Sequence, residues 1–290
     1  MNTPNANIIH SGEPSRSALR VATLRAVHAL LDEPIVLDDP VALPLLGETM
    51  ATALRADPFT CNDPLSRGLR GALVARSRVA EDELARRVDA GLRQYVVLGA
   101  GLDTFAARNV HAAKGLRVFE VDHPSTQRWK QGALQAAGLD VGDTAFVPVD
   151  FERDDLLKSL QAAGLRSDLP VFFAWLGVTM YLTPEAVLKT LTAVATLPAG
   201  SGIVFDYRVP TEQLNPVERA IHGMISQQIA AMGEPWLSSF DPSALQRQLK
   251  ELGFANVEDL GPDELNARYF ARRKDGLRTG GGVHIMCAGR

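Results

Sequence analysis

The segment Gln94-Tyr95-Val96-Val97-Leu98-Gly99-Ala100-Gly101-Leu102-Asp103-Thr104 decides how this chain folds. A short apolar run ends abruptly in a glycine turn, which reads as a buried strand feeding a ligand-type loop. The same rhythm recurs downstream. The apolar run 117–121 ends in Asp122, the run 145–149 ends in Asp150, and 171–175 and 203–205 continue the series. Helical patterns fill the gaps at 125–137, 154–163 and 184–197. Short buried strands alternating with helices predict right-handed βαβ units and a parallel sheet covered on both faces. The expected fold class is therefore α/β, a doubly wound, mostly parallel sheet. The remainder reads as helices over 211–232 and 242–252 and strands over 257–260 and 283–288.

Upstream of Gln94 the pattern is helical. Leu19, Ala22, Leu24, Ala26, Leu30 and Leu31 share one face at helical spacing, with Ser15 as an N-cap. A short helix is expected over 41–46, stopped by Gly47. The stretch 55–64 carries two Asp-Pro pairs and reads as loop. A longer helix follows over 65–89, closed by Gly91. The expected organisation is a flexible tail over 1–14, an N-terminal helical region over 15–91, and a Rossmann-like region over 92–290. A helical cap insertion at about 211–240 interrupts the last of these. The whole is one structural unit.

Composition bounds the function. The chain has 290 residues, 46% hydrophobic and 22% charged, which is ordinary for a globular protein. A net charge of −4 gives no global basic excess for a nucleic-acid backbone or an anionic membrane. No apolar stretch reaches the length of a membrane helix, and the N-terminus lacks signal-peptide character. A cytoplasmic location is the expectation. Two cysteines, Cys61 and Cys287, make neither a disulfide framework nor a metal cluster, so no metal is expected.

The chemistry gathers at the strand ends. Glycines at 99 and 101 let backbone approach a ligand in the turn beneath a nucleotide. Asp122 lies about 20 residues on, where an acid receives ribose hydroxyls. Asp150 ends the third strand at the same edge. A dinucleotide fingerprint needs a third glycine, which is missing, and Asp103 at the helix start would repel a phosphate. S-adenosylmethionine, with a ribose, an adenine, two cationic groups and no phosphate, fits this charge pattern better than NAD. An NAD-dependent oxidoreductase is the alternative enzyme, and a non-catalytic cofactor-binding regulatory protein the alternative outside catalysis.

The glycine segment resembles the first motif of the leucine carboxyl methyltransferase family, which includes a bacterial branch of S-adenosylmethionine-dependent O-methyltransferases. Phe119-Glu120-Val121-Asp122-His123-Pro124 is similar to its second motif and Val147-Pro148-Val149-Asp150-Phe151 to its third. Gly177-Val178-Thr179-Met180-Tyr181-Leu182-Thr183-Pro184-Glu185 is similar to the fourth. Arg25-Ala26, Asp39-Pro40 and Arg76-Ser77-Arg78 resemble its N-terminal helices. The resemblance implies a class I methyltransferase fold and particular site residues. Arg78 would neutralise the cofactor's carboxylate, Gly99 and Gly101 would line its methionine end, and Asp122 would hold the ribose. Asp150 would accept from the adenine amino group, and the Phe151 N–H would reach a ring nitrogen. Leu176 departs from the pattern, standing where the family often has an acid.

A carboxylate acceptor is ionised at neutral pH and needs no base, whereas a phenol, with pKa about 10, gains from one. No dedicated base stands out, so the catalytic residue is left unknown. The candidates by position are Tyr181, Tyr207 and His222. Trp236 and Met224 are candidate pocket residues in the cap. The expected partner is a small-molecule acceptor, and the oligomeric state is not readable.

Overall fold

The computed structural model describes residues 16–151 and 153–290. The tail over 1–14 and the Ser15 cap lie outside the described residues. Seven strands form one sheet: β1 (Gln94–Leu98), β2 (Arg117–Asp122), β3 (Ala145–Pro148), β4 (Phe172–Trp175), β5 (Gly202–Arg208), β6 (Asn256–Leu260) and β7 (Val283–Gly289). Their order is β3-β2-β1-β4-β5-β7-β6. Strands β1 to β5 run parallel, and β7 is antiparallel to both of its neighbours. The order reverses at β1, so the turn after β1 lies at the topological switch point, where open α/β sheets bind ligands.

The apolar runs form strands because both of their faces are covered. Val96, Leu98, Phe173, Trp175, Ile203 and Phe205 face one core. It is packed by α7 (Leu156–Ala162), α8 (Pro184–Ala195) and α10 (Pro242–Glu251). Tyr95, Val97, Phe172, Ala174 and Val204 face the other, packed by α4 (Pro64–Asp89) and α11 (Pro262–Tyr269). Alternate residues of one strand thus enter two cores, so a pure apolar run is favoured over an alternating one.

The N-terminal helices are α1 (Arg16–Leu31), α2 (Ala42–Leu45) and α3 (Glu48–Ala56), and α1 packs along α4. Two local expectations need correction. Gly47, at φ 80°, ends α2 but also starts α3, so part of the expected loop is helical. The rest is a single tight turn, Pro58–Cys61, capped by Asp57 accepting from the Phe59 N–H. The helix expected over 211–232 is likewise divided. A short turn at Thr211–Gln213 precedes α9 (Pro216–Ala231), because Asn215 caps α9 and Pro216 has no N–H to continue an upstream helix. Two further helices complete the chain, α5 (Phe105–Arg108) and α6 (Pro124–Ala136). Among the described residues no helix is long and apolar enough to cross a membrane.

One buried triad fixes the start of the chain on α4. His28 Nε2 accepts from the Val36 and Leu37 N–H groups at 3.0 and 3.2 Å, so its Nδ1 carries the proton and donates to Asp32 at 2.8 Å. Arg70 clamps the same carboxylate with two bonds, 2.7 and 2.9 Å. Burial alone would raise Asp32, but the His28 and Arg70 bonds outweigh it and hold the carboxyl below its usual value. A depressed carboxylate stabilises the fold above its unfolded pKa, about 3.9, and loses that contribution as pH falls through the native value. Arg70→Met leaves Asp32 buried without its clamp and should cost about 3–5 kcal/mol at pH 7. The gap to wild type should narrow as pH falls, because the unclamped, buried carboxyl protonates first and the wild-type one only below the usual carboxylate range. Denaturant melts across pH check this, and coincident curves would refute it.

Candidate functional site

The turn after β1 is built for close backbone approach. Gly99 and Gly101 have φ of 63° and 48°, left-handed values that strain other residues. A Cβ at Gly99 would lie 2.3 Å from Val178 Cγ2, so the loop after β4 closes directly on the glycine. The Ala100 N–H donates to the Val121 carbonyl at 3.0 Å, tying the turn to β2.

Asp122 finishes that connection. Its Oδ2 accepts from the Gly101 N–H at 2.5 Å and its Oδ1 from the His123 N–H at 2.6 Å. Burial pushes this carboxyl above its ordinary value, and the two N–H bonds pull it partly back. Each carboxylate oxygen has a second lone pair, so the group can still accept from a ligand. Beneath it, Lys130 and Glu120 form a buried pair at 2.6 Å. The Val149 N–H donates to the Asp122 carbonyl at 3.0 Å, which brings Asp150 and Phe151 alongside. The Phe151 ring stacks on Trp175 at 6.2 Å. Gly99, Gly101, Asp122, Asp150 and Phe151 are thus assembled at one sheet edge.

Arg78 is not among them. Its Nε pairs with Asp82 and its NH1 donates to the Val36 carbonyl, at 2.8 and 3.1 Å, and its side chain is about half exposed. Arg76 reaches the loop after β4 instead. Two residues earlier on a helix is roughly the opposite face. There Arg76 NH1 meets Asp206 at 2.8 Å, its guanidinium lies against Gly177, and its Nε is buried with no partner. The register was readable, because Arg78 and Asp82 stand four apart, the spacing of a surface ion pair on a helix. Leu176 packs against the second core, and a carboxylate from the next strand serves this loop instead. Asp206 accepts from the Gly177 N–H at 2.5 Å.

Sequence reasoning missed a web of charge under the glycine turn. Arg25 of α1 lies 3.7 Å from Asp39 and 3.5 Å from Asp103. Thr104 donates to Asp39 at 2.5 Å, and Arg108 binds Asp39 at 3.3 Å and Glu81 at 2.5 Å. Burial alone would raise Asp103, yet Arg25, Lys130 and the Phe105 N–H hold it low and therefore ionised.

The three catalytic candidates separate. The Tyr207 hydroxyl donates to Asp259 at 2.7 Å, and His284 binds the other oxygen of that carboxylate at 2.8 Å. Burial and Asp259 push the phenol up, so it is no base. Tyr181 lies beside Trp236 and Ser17, and burial raises it too. His222 lies 6.2 Å from Trp236, is lowered by burial and by Arg208, and has a buried Nδ1 with no partner. Tyr181, His222, Trp236 and Arg208 are thus neighbours beside α9. Met224 is largely exposed instead.

This strand order, with its antiparallel seventh strand and ligand edge at β1, defines a class I methyltransferase fold. The solved structure of a DUF574 family protein from Streptomyces avermitilis has the same fold. It matches with a TM-score of 0.59 at 17% identity, over 96% of this chain and 98% of that one. Residues 18–195 match the family described as leucine carboxyl methyltransferase. A Bacillus subtilis protein named "Putative S-adenosyl-L-methionine-dependent methyltransferase YktD" is 32% identical over 97% of this chain and 99% of its own length. A Saccharopolyspora erythraea protein of the same descriptive name is 37% identical over 66% of each chain. The chain belongs to the leucine carboxyl methyltransferase family.

Gly99→Ala tests the closeness of the two loops. Left-handed strain of about 1–2 kcal/mol adds to an overpacking cost of about 1–3 kcal/mol. The expected loss in a denaturant melt is their sum, and Val178→Ala should restore only the packing share. Additive single and double variants would show that the two loops do not touch.

Proposed function

We propose that this chain is an S-adenosylmethionine-dependent O-methyltransferase acting on an acidic oxygen of a small molecule, a carboxylate before a phenol. The observation that carries the reading is the sheet edge where Asp122 holds the Gly99–Gly101 turn and the loop after β4, with Val178 on Gly99 and Arg76 on Gly177, closes on that turn. The residues fit the cofactor. The left-handed glycine turn presents backbone rather than side chain at the edge, Asp122 offers acceptors for ribose hydroxyls, and Asp103 stays ionised towards a cation. Arg76 is the basic group for the cofactor's carboxylate. Asp150 and the Phe151 N–H are assigned to the adenine.

When bound, S-adenosylmethionine supplies a methyl group on a sulfonium. A carboxylate acceptor would take that methyl group as the carbon–sulfur bond's electron pair returned to sulfur, and this chain would have no proton to remove. The protein's part is alignment and exclusion of water, which supply on the order of 7–11 kcal/mol. The N-terminal helices and α9 are the elements that close over the edge. Neither Tyr181 nor Tyr207 is basic at neutral pH, which favours an acceptor that arrives ionised. His222 favours the phenol reading, because it stays neutral and keeps Nδ1 unpartnered.

Asp122→Ala should weaken S-adenosylhomocysteine binding at least about tenfold in calorimetry, since charge-assisted bonds are worth about 1.5–3 kcal/mol. Arg76→Ala should do the same, and Arg78→Ala should bind as wild type does. Equal losses at 76 and 78 would remove the assignment of Arg76.

Product chemistry tests the acceptor. A methyl ester hydrolyses in mild alkali, while a methyl ether survives. With a carboxylate the single-turnover rate should stay flat from about pH 6 to 9, because the acceptor is ionised throughout. An alkali-stable product with a rate that His222→Ala abolishes would establish the phenol. A folded protein that binds cofactor and methylates nothing across a broad metabolite panel would favour the regulatory alternative.

A further inference from the structure

Strand β5 ends in Arg208, and this arginine is in an unusual electrostatic position. Its guanidinium stacks on Trp236 at 3.9 Å. Its Nε is fully buried with no partner, and among the described residues its side chain makes no ion pair or hydrogen bond. The arginines near the site that are buried or half-buried, Arg25, Arg76 and Arg108, each hold a carboxylate, whereas the half-buried Arg208 holds none. A desolvated, unpaired guanidinium is costly, and stacking on an indole recovers only part of that cost. Burial accordingly lowers Arg208 from its ordinary value, with only the Tyr181 hydroxyl acting the other way.

Its surroundings point to a ligand. Trp236 supplies a flat apolar wall beside Tyr181. His222, also against Trp236, keeps a buried Nδ1 with no partner. Glu234 acts electrostatically on Tyr181, has a buried, unpartnered oxygen, and makes no ion pair with Arg208. Arg208 ends β5, and Arg76 of α4 reaches Asp206 two residues earlier on the same strand. We infer that Arg208, stacked on Trp236 beside Tyr181 and His222, is the seat of the acceptor's carboxylate. The inference rests on the methyltransferase reading above and names the residue that selects the acceptor.

A guanidinium N–H can donate to one oxygen of the carboxylate, and the indole flanks the carboxylate's organic body. One carboxylate oxygen remains free to face the methyl group. Methylation cancels the charge that Arg208 binds, so the neutral ester is held less tightly than the acid. The same group then both admits the substrate and releases the product.

The test uses full-length protein with saturating S-adenosylhomocysteine and matched probes: benzoate and phenylacetate against their methyl esters and amides. Binding is read by Trp fluorescence, with Trp236→Phe marking the reporter. Wild type should bind each anion at least about tenfold more tightly than its neutral partners. Arg208→Gln should abolish that preference, and Arg208→Lys should restore part of it. Arg208→Met should melt no lower than wild type, because it removes an unpaired buried charge, whereas a purely structural arginine would make it melt lower. Wild type showing no anion preference, or Arg208→Gln keeping it, would overturn the inference. Calorimetry of S-adenosylhomocysteine on the same preparations separates the readings: failure to bind it in wild type refutes the cofactor, while normal binding with no anion preference refutes only the role of Arg208.

Discussion

The hydrogen bond from Thr104 to Asp39, with Arg25 and Arg108 on either side of it, is the constraint on which the rest depends. Thr104 closes the glycine turn, Asp39 belongs to the loop after α1, and Arg25 and Arg108 reach both. Glu81 brings α4 into the same web through Arg108. Three acids and two arginines are thereby withdrawn from water in one place. Such groups are stable only when every one is partnered, so the web permits a single arrangement of helices over the turn. Burial pushes Glu81 upward even with Arg108 on it, which shows how dry the place is. The N-terminal helices are thus part of the ligand edge rather than an appendage to it.

How far this was legible in the sequence depended on range. The glycine turn, Asp122 and Asp150 were readable because each ends an apolar run, and the run itself fixes the strand. The two-sided cores follow from the same runs. The charge web was not readable: Arg25 and Thr104 are 79 residues apart, and no local pattern joins them. For Arg76 and Arg78 the readable signal is the four-residue spacing of Arg78 and Asp82, not apolar periodicity. Helix α4 is buried around most of its circumference, so apolar periodicity does not rank the two arginines. Helix α3 was hidden by its neighbours, since a glycine before it and two Asp-Pro pairs after it read as uninterrupted loop.

Leu176 illustrates how a missing residue is replaced by topology. The strand register aligns Trp175 with Phe205, so Asp206 stands beside the start of the loop after β4. Its carboxylate is almost fully buried and bridges the Gly177 N–H and Arg76. An acid on the loop would compete for the same N–H. Leu176 packs inward instead, and the negative charge reaches the loop from the adjacent strand.

The sheet edge is also ordered by charge. On the β2 and β3 side stand Asp103, Asp122 and Asp150; towards β4 and β5 stand Arg76 and Arg208. On the reading proposed here, a ligand carrying a sulfonium and an ammonium lies against the acids, and an anionic acceptor lies against the arginines. Arg76, neutralised by Asp206, still has an Nε to give and suits a carboxylate that must bind and leave with the cofactor. Arg208 has no acid of its own and suits a carboxylate that loses its charge in the reaction. A carboxylate nucleophile carries full charge before transfer and little after it, so a strong clamp on both oxygens would stabilise the ground state more than the transition state. A partly desolvated arginine held flat against an indole, which can bind one edge of the group and leave an oxygen free, avoids that loss better than a pair of converging cations would.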